Sequence, residues 1–156
     1  AQQLQRGQLM QDLDDAINTY QISGASLELE ITESSLVENS TTVKSLLDEI
    51  KQRDIHIALD DFGTGYSSLS YLTDFPIDSL KIDRSFVSKI GNIKQEAIVS
   101  AMIAMGKAMG MSVVAEGIET EQQLQYLQNL NCDIAQGYLF SSPLPESEAT
   151  QFLKAN

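Results

Sequence analysis

The sequence predicts an α/β fold in which parallel strands alternate with helices and curl toward a barrel. Three observations carry that expectation. Short aliphatic runs of strand length alternate with longer segments of helical spacing, an order that calls for a parallel sheet with right-handed crossovers. Acids recur where those runs end: Leu27 to Ile31 runs into Glu30 and Glu33, Ile55 to Leu59 into Asp60 and Asp61, Leu80 to Asp83 carries Lys81 and Asp83, and Val113 to Ala115 runs into Glu116 and Glu119. No Gly- or Pro-rich linker, duplication or low-complexity tract divides the 156 residues, so the chain is one domain's worth or less.

Leu9, Leu13, Ile17 and Tyr20 share one helical face, with Gly24 just beyond as a stop. Leu27, Leu29 and Ile31 then alternate as in a strand, and Val43, Leu46, Leu47 and Ile50 return to helical spacing, with Ser40 or Thr41 as the cap. The same β-then-α unit recurs as Ile55 to Asp60 with a short helix near Ser67 to Leu72, and as Leu80 to Asp83 with a long helix through Ile98 and Met105. It recurs again as Val113 to Glu116 with Thr120 to Leu130, where Thr120 and Gln123 match a capping box. A last strand around Ile134 to Phe140 precedes Pro143, Pro145 and a closing helix through Phe152. That makes about five strands, whereas a closed barrel of eight βα units takes roughly 250 residues.

Composition narrows the function. The 42% hydrophobic content suits a globular core, and 10 Lys and Arg against 22 Asp and Glu give a net charge of -12. That balance excludes sequence-independent DNA binding, which needs cations to displace counterions from phosphates. The single cysteine, Cys132, precludes an internal disulfide and fits a reducing compartment. The lone His56, between Ile55 and Ile57, suits a packed or solvated strand position better than a zinc site. Ala97 to Ala115 nears the length of about 20 residues that spans a bilayer, but Lys107, Gly106, Gly110 and the β-branched Val113 and Val114 divide it into a core helix and a buried strand. A cytoplasmic domain is expected, with any membrane tether lying in other regions.

In a parallel barrel the strand ends meet at one mouth, where catalytic side chains gather. Each acid alone could merely complement a helix N-terminus, worth about 0.3 to 1 kcal/mol; the recurrence over successive strands favours a built site. Carboxylates that share a site cannot all stay ionised cheaply. A hard divalent cation such as Mg²⁺ or Mn²⁺ resolves the conflict, and the adjacent Asp60 and Asp61 suit a pair of ions acting on a phosphoester. Lys81, a lysine inside a strand, needs an acidic partner: it either orients a water or phosphate, or forms a salt bridge to Asp60 or Asp61. The Phe62 to Ser68 loop contains glycines but no Walker A or G-x-G-x-x-G pattern.

Glu30-Ile31-Thr32-Glu33, Asp60-Asp61-Phe62-Gly63-Thr64-Gly65-Tyr66-Ser67-Ser68-Leu69, Leu80-Lys81-Ile82-Asp83, Val114-Ala115-Glu116-Gly117-Ile118-Glu119 and Gln136-Gly137-Tyr138-Leu139-Phe140 resemble, in order and spacing, the motifs of the EAL domain family. The resemblance runs from about Gly24 onward. It implies a (β/α)₈ TIM-barrel-like fold with about five of eight βα units in residues 1–156. It also implies hydrolysis of the bacterial second messenger cyclic di-GMP to linear pGpG with Mg²⁺ or Mn²⁺, a homodimer, and sensory or cyclase domains accompanying the barrel.

Carried over by motif, Glu30 and Asp60 resemble metal ligands and Asp61 the ligand of a second metal. Lys81 resembles the lysine that holds the catalytic water, and Glu116 the glutamate that is general base or metal-site acid. Glu33 resembles the anchor of the Asp61 to Leu69 loop, while Asp83, Glu119 and Gln136 match positions lining the nucleotide pocket. No Glu-Ala-Leu triplet occurs in the chain, and the strand bearing an Asn ligand is absent. The resemblance therefore implies the C-terminal portion of the domain, without about three strands and two ligands. Alternatives are an inactive EAL-type cyclic di-GMP receptor, or an interaction module whose open sheet edge recruits other chains.

Overall fold

The computed structural model describes residues 8–37, 40–64 and 72–155. Its centre is a parallel sheet of β1 (Glu28–Thr32), β2 (His56–Phe62), β3 (Ser79–Ile82), β4 (Ser112–Ala115) and β5 (Ile134–Ala135), hydrogen-bonded in that order. Sequential neighbours in a parallel sheet require a crossover each time. The crossovers carry α2 (Glu33–Val37) and α3 (Ser40–Lys51), then α4 (Arg84–Val87) and α5 (Ile93–Ala108), then α6 (Glu121–Asn129). α1 (Gln8–Tyr20) precedes the sheet and α7 (Glu146–Ala155) follows it.

Alternation along each strand sorts the side chains into two faces. Ile31, Ile57, Leu59, Leu80, Ile82, Val113 and Ala115 are buried in two apolar clusters with residues of the helices, among them Leu47 and Ile50 of α3, Val99 and Ile103 of α5 and Leu127 of α6. The opposite face carries Glu28, Glu30, Asp60, Ser79 and Lys81. Burying so much aliphatic surface, at about 25 cal/mol per Å², holds the polar residues of the second face in fixed register.

The helix starts follow their local chemistry. Thr120 accepts from the Gln123 N–H while the Gln123 side chain accepts from the Thr120 N–H, a complete capping box. Asp83 caps α4 and Asn92 caps α5 in the same way with one bond each. Ala97 to Ala115 divides into the end of α5 and β4, and among the described residues no helix is long and apolar enough to cross a membrane.

Several expectations shift. α1 ends at Tyr20 through Gln21 in the left-handed region at φ 50°, not at Gly24. Gly24 instead marks a close approach, since a Cβ there would lie 1.7 Å from the Arg53 carbonyl oxygen; the chain passes α3's exit only as glycine. Tyr20 is exposed, although Leu9, Leu13 and Ile17 pack on the core. The last strand is only two residues long, because past Gln136 the chain turns back on Ile118, with the Leu139 N–H donating to the Ile118 carbonyl at 2.9 Å and that of Phe140 to Gly137 at 3.1 Å. The short helices α2 and α4 lack enough residues to show a period. The helix expected near Ser67 lies outside the described residues, apart from the buried Leu72, as do the side chains of the proposed caps Ser40 and Thr41.

Carboxylates also tie down the far ends of the strands. Asp78 pairs with Lys51 at 2.7 Å and accepts the Ile57 N–H at 2.8 Å. Asp133 accepts the Val113 N–H at 2.9 Å and Lys107 Nζ at 3.3 Å. The Val113 bond holds the Asp133 carboxyl below its ordinary range, outweighing burial, with Lys107 adding to it. A depressed pKa stabilises the fold above the unfolded value of about 3.9 and ceases to do so as pH falls through the folded one. Asp133→Ala strands the fully buried Val113 N–H, at a cost of about 1 to 3 kcal/mol near neutrality. Urea titrations should show that cost shrinking below about pH 4; an equal difference at both pH values would contradict this account.

Candidate active site

The polar face of the sheet ends in a cluster organised around one cation. Lys81 lies between Leu80 and Ile82, both fully buried against the helices, so its side chain projects to the other face and is itself 6% exposed. Its ammonium is ion-paired to Glu30 of β1, to Glu116 just past β4 at 2.8 Å, and to Asp60 of β2 at 3.6 Å. Two strands and the residue just past a third each contribute an acid to the lysine of β3. Burial opposes the charge on Lys81, but its hydrogen bonds to Glu116 and Glu30 outweigh burial and raise its pKa well above the usual lysine value. A raised pKa means that the ammonium's stabilising effect is complete below about pH 10.4 and fades only as pH climbs through the folded value. Near neutrality Lys81 is a fixed cation and no proton acceptor.

β2 is shaped to deliver two acids. Its pairing with β3 shifts between Leu59 and Phe62, and such an irregularity beside a site re-aims side chains. Within it Asp61 sits at φ 55°, a left-handed conformation that Asp tolerates better than most residues. Its N–H donates to Asp60 Oδ1 at 2.9 Å. Burial, then the charges of Asp60 and Asp83, raise the pKa of Asp61, with Lys81 opposing. Asp83 moves the other way: burial is outweighed by hydrogen bonding to the Ser85 side chain and to the Ser85 and Arg84 N–H groups, with the Arg84 charge adding to it, and its pKa falls.

The remaining expected residues frame this cluster. Glu33, 4% exposed at the start of α2, accepts the Gly63 N–H through Oε2 at 2.9 Å, bridging the ends of β1 and β2. Gly63 is at φ 93°, a conformation that suits glycine. Glu119 and Gln136 are exposed and held by backbone bonds, Glu119 N–H to Gln123 Oε1 at 2.8 Å and Gln136 N–H to the Ala115 carbonyl at 2.9 Å. Among the described residues neither side chain is hydrogen-bonded to the cluster.

Sequence reasoning set Lys81 against Asp60 or Asp61. Two of its three partners, Glu30 and Glu116, come from more distant stretches of sequence, and Asp61 is not one of them. It also passed over Gly117, at φ 71° directly after Glu116; a lone glycine after an acid was the available signal.

The donors are all carboxylate oxygens, the kind that suits a hard divalent cation such as Mg²⁺ or Mn²⁺ rather than a thiolate or imidazole metal. Among the described residues no three acids are drawn together as a metal centre, and Lys81 lies at the point where Glu30, Asp60 and Glu116 meet. In sign and donor chemistry the residues fit such an ion.

Comparison with known proteins places this arrangement. Residues 1–143 match the EAL domain family. The cyclic di-GMP phosphodiesterase NbdA of Pseudomonas aeruginosa is 42% identical over 156 residues, covering 99% of this chain and 20% of that protein; the chain spans about a fifth of the curated relatives it matches. A solved structure of the PaMucR phosphodiesterase in complex with c-di-GMP superposes with a TM-score of 0.90 at 36% identity, over 94% of this chain and 60% of the other. A manganese and cyclic di-GMP complex of Klebsiella pneumoniae BlrP1 gives 0.81 at 31% identity, over 88% and 36%. The parallel sheet, its alternating helices and the matched sequence agree: this α/β chain has the barrel fold of the EAL domain family and belongs to that family.

Proposed function

We propose that the protein carrying this chain hydrolyses cyclic di-GMP to linear pGpG with Mg²⁺ or Mn²⁺. The observation that supports this reading most is the cluster in which Glu30, Asp60 and Glu116, from or just past the ends of three strands, converge on Lys81. Residues 1–156 are read as the C-terminal part of the barrel. Relatives about five times longer support further domains, and a homodimer rests on the resemblance.

In this reading Glu30 and Asp60 hold a divalent ion and Asp61 a second. Such ions, when bound, neutralise phosphoryl oxygens and acidify a bound water. The chain's own residues do the rest. Lys81, charged throughout the neutral range, fixes the attacking water and offsets charge on the phosphoryl oxygens. Glu116, 2.8 Å from that ammonium and with a side chain 21% exposed, is placed to receive the proton from the water. Glu33 holds the Gly63 turn over the site, and Asp83, Glu119 and Gln136 line the path of the nucleotide.

The test is turnover by the full-length protein with each metal, resolved by chromatography, beside Asp60→Asn. Linear pGpG is expected from the unsubstituted protein, with a loss of about 100-fold or more in the variant. Tight binding that leaves cyclic di-GMP intact under both metals would instead identify a receptor.

A further inference from the structure

Cyclic di-GMP carries two phosphodiesters, and hydrolysis to pGpG opens one. The other must still be held, at a mouth lined by carboxylates on a chain of net charge -12. Few cations are free to do so. Lys81 is enclosed by its own acids, Lys44, Lys51, Arg53 and Lys107 each pair with a carboxylate elsewhere, and Lys89, Lys94 and Lys154, also outside any ion pair among the described residues, lie farther along the chain from the β3 exit. Arg84 differs. It is the first residue of α4, directly after Asp83 and three residues past Lys81, so the end of β3 carries it to the same mouth.

Its stem lies against the residue that follows Glu116. A Cβ on Gly117 would fall 2.4 Å from Arg84 Cβ and 3.2 Å from its Cα, so the β3 and β4 exits touch at this point. Arg84 is exposed and makes no ion pair within 4.0 Å among the described residues, although its charge reaches the neighbouring Asp83 and helps lower that carboxyl's pKa. A planar guanidinium with its donors uncommitted suits the paired oxygens of a phosphodiester.

We propose that Arg84 is a substrate-binding residue that grips the phosphodiester not undergoing cleavage. The assignment rests on the hydrolase reading given above. A contact made equally before and during the reaction raises KM when lost and leaves kcat in place, which separates this role from that of Lys81.

The experiment compares the full-length protein with Arg84→Met, which keeps the stem over Gly117, and with Arg84→Lys and Arg84→Glu. Cyclic di-GMP turnover is measured at two salt concentrations, and melting curves are recorded alongside. Expected are a KM raised about tenfold in Arg84→Met with kcat within about twofold, a larger rise in Arg84→Glu, partial recovery in Arg84→Lys, a weaker salt dependence of KM without the charge, and unchanged melting. An unchanged KM, or a fall in kcat alone, overturns the assignment while leaving the hydrolase reading intact. No turnover in the unsubstituted protein overturns that reading and the assignment with it.

Discussion

Replacing Lys81 by methionine is expected to reduce turnover by about 10³-fold while costing the fold only about 1 to 2 kcal/mol. The two numbers separate because burial is uneven across the cluster. The lysine is 6% exposed, whereas the side chains of Glu30, Asp60 and Glu116 are 50%, 23% and 21% exposed. Removing one member of a fully enclosed ion pair strands a charge away from water and costs about 3 to 5 kcal/mol. Here the acids left behind reach solvent and recover part of their hydration. Methionine nearly matches the lysine stem in volume, so the space the stem fills on the polar face of the sheet stays occupied. The catalytic deficit has no such relief, since a fixed cation beside developing phosphoryl charge acts only from its own position. Urea unfolding and steady-state kinetics on the same preparation check both numbers. Near-complete retention of kcat would reduce Lys81 to a structural counter-ion.

Gly137→Ala is expected to cost the fold about 3 kcal/mol, lowering Tm by about 6 to 12 °C in a chain of this size. The new Cβ would sit 2.2 Å from both the nitrogen and the carbonyl oxygen of Ile118 and 2.7 Å from its carbonyl carbon. Backbone cannot swing aside as a flexible side-chain end can. The Ile118 N–H donates to the Gln136 carbonyl at 3.1 Å, and the Ile118 carbonyl accepts from Leu139 at 2.9 Å, so relief of the clash opens two hydrogen bonds around a fully buried residue. Ile118 also lies two residues past Glu116, and turnover should fall with stability. Gly110→Ala is the matched control: at φ 76° it is strained, but nothing lies within 4 Å of its added Cβ, and about 1 kcal/mol is expected. Equal losses at the two glycines would show that conformational freedom, not close approach, governs Gly137.

The elements that declared themselves were those with enough residues to show a period or a cap. α3, α5 and α6 carry several turns of apolar spacing or a complete capping box, and β1 to β4 carry runs of aliphatic residues most of which are buried against the helices. β5 was overestimated because Ile134 to Phe140 has strand composition throughout, while the backbone contact between Gly137 and Ile118 that ends it joins residues about twenty apart in the chain. Gly24 illustrates the same limit. Its proximity to α1 suggested a helix stop, whereas the constraint comes from the Arg53 carbonyl at the end of another helix.

By itself the sequence determined the alternation of strands and helices, the recurrence of acids at strand ends, and the motif order that identifies the family, because each is written in local periodicity or in the identity of residues close together in the chain. Only the tertiary structure decided which acids face Lys81, the left-handed turn that carries Asp61, and the contact that sets Arg84 beside the residue after Glu116. Those depend on strand register and on the irregularity in β2. They are settled by packing and hydrogen bonding between segments far apart in sequence, where a shift of one residue would turn Lys81 away from its carboxylates.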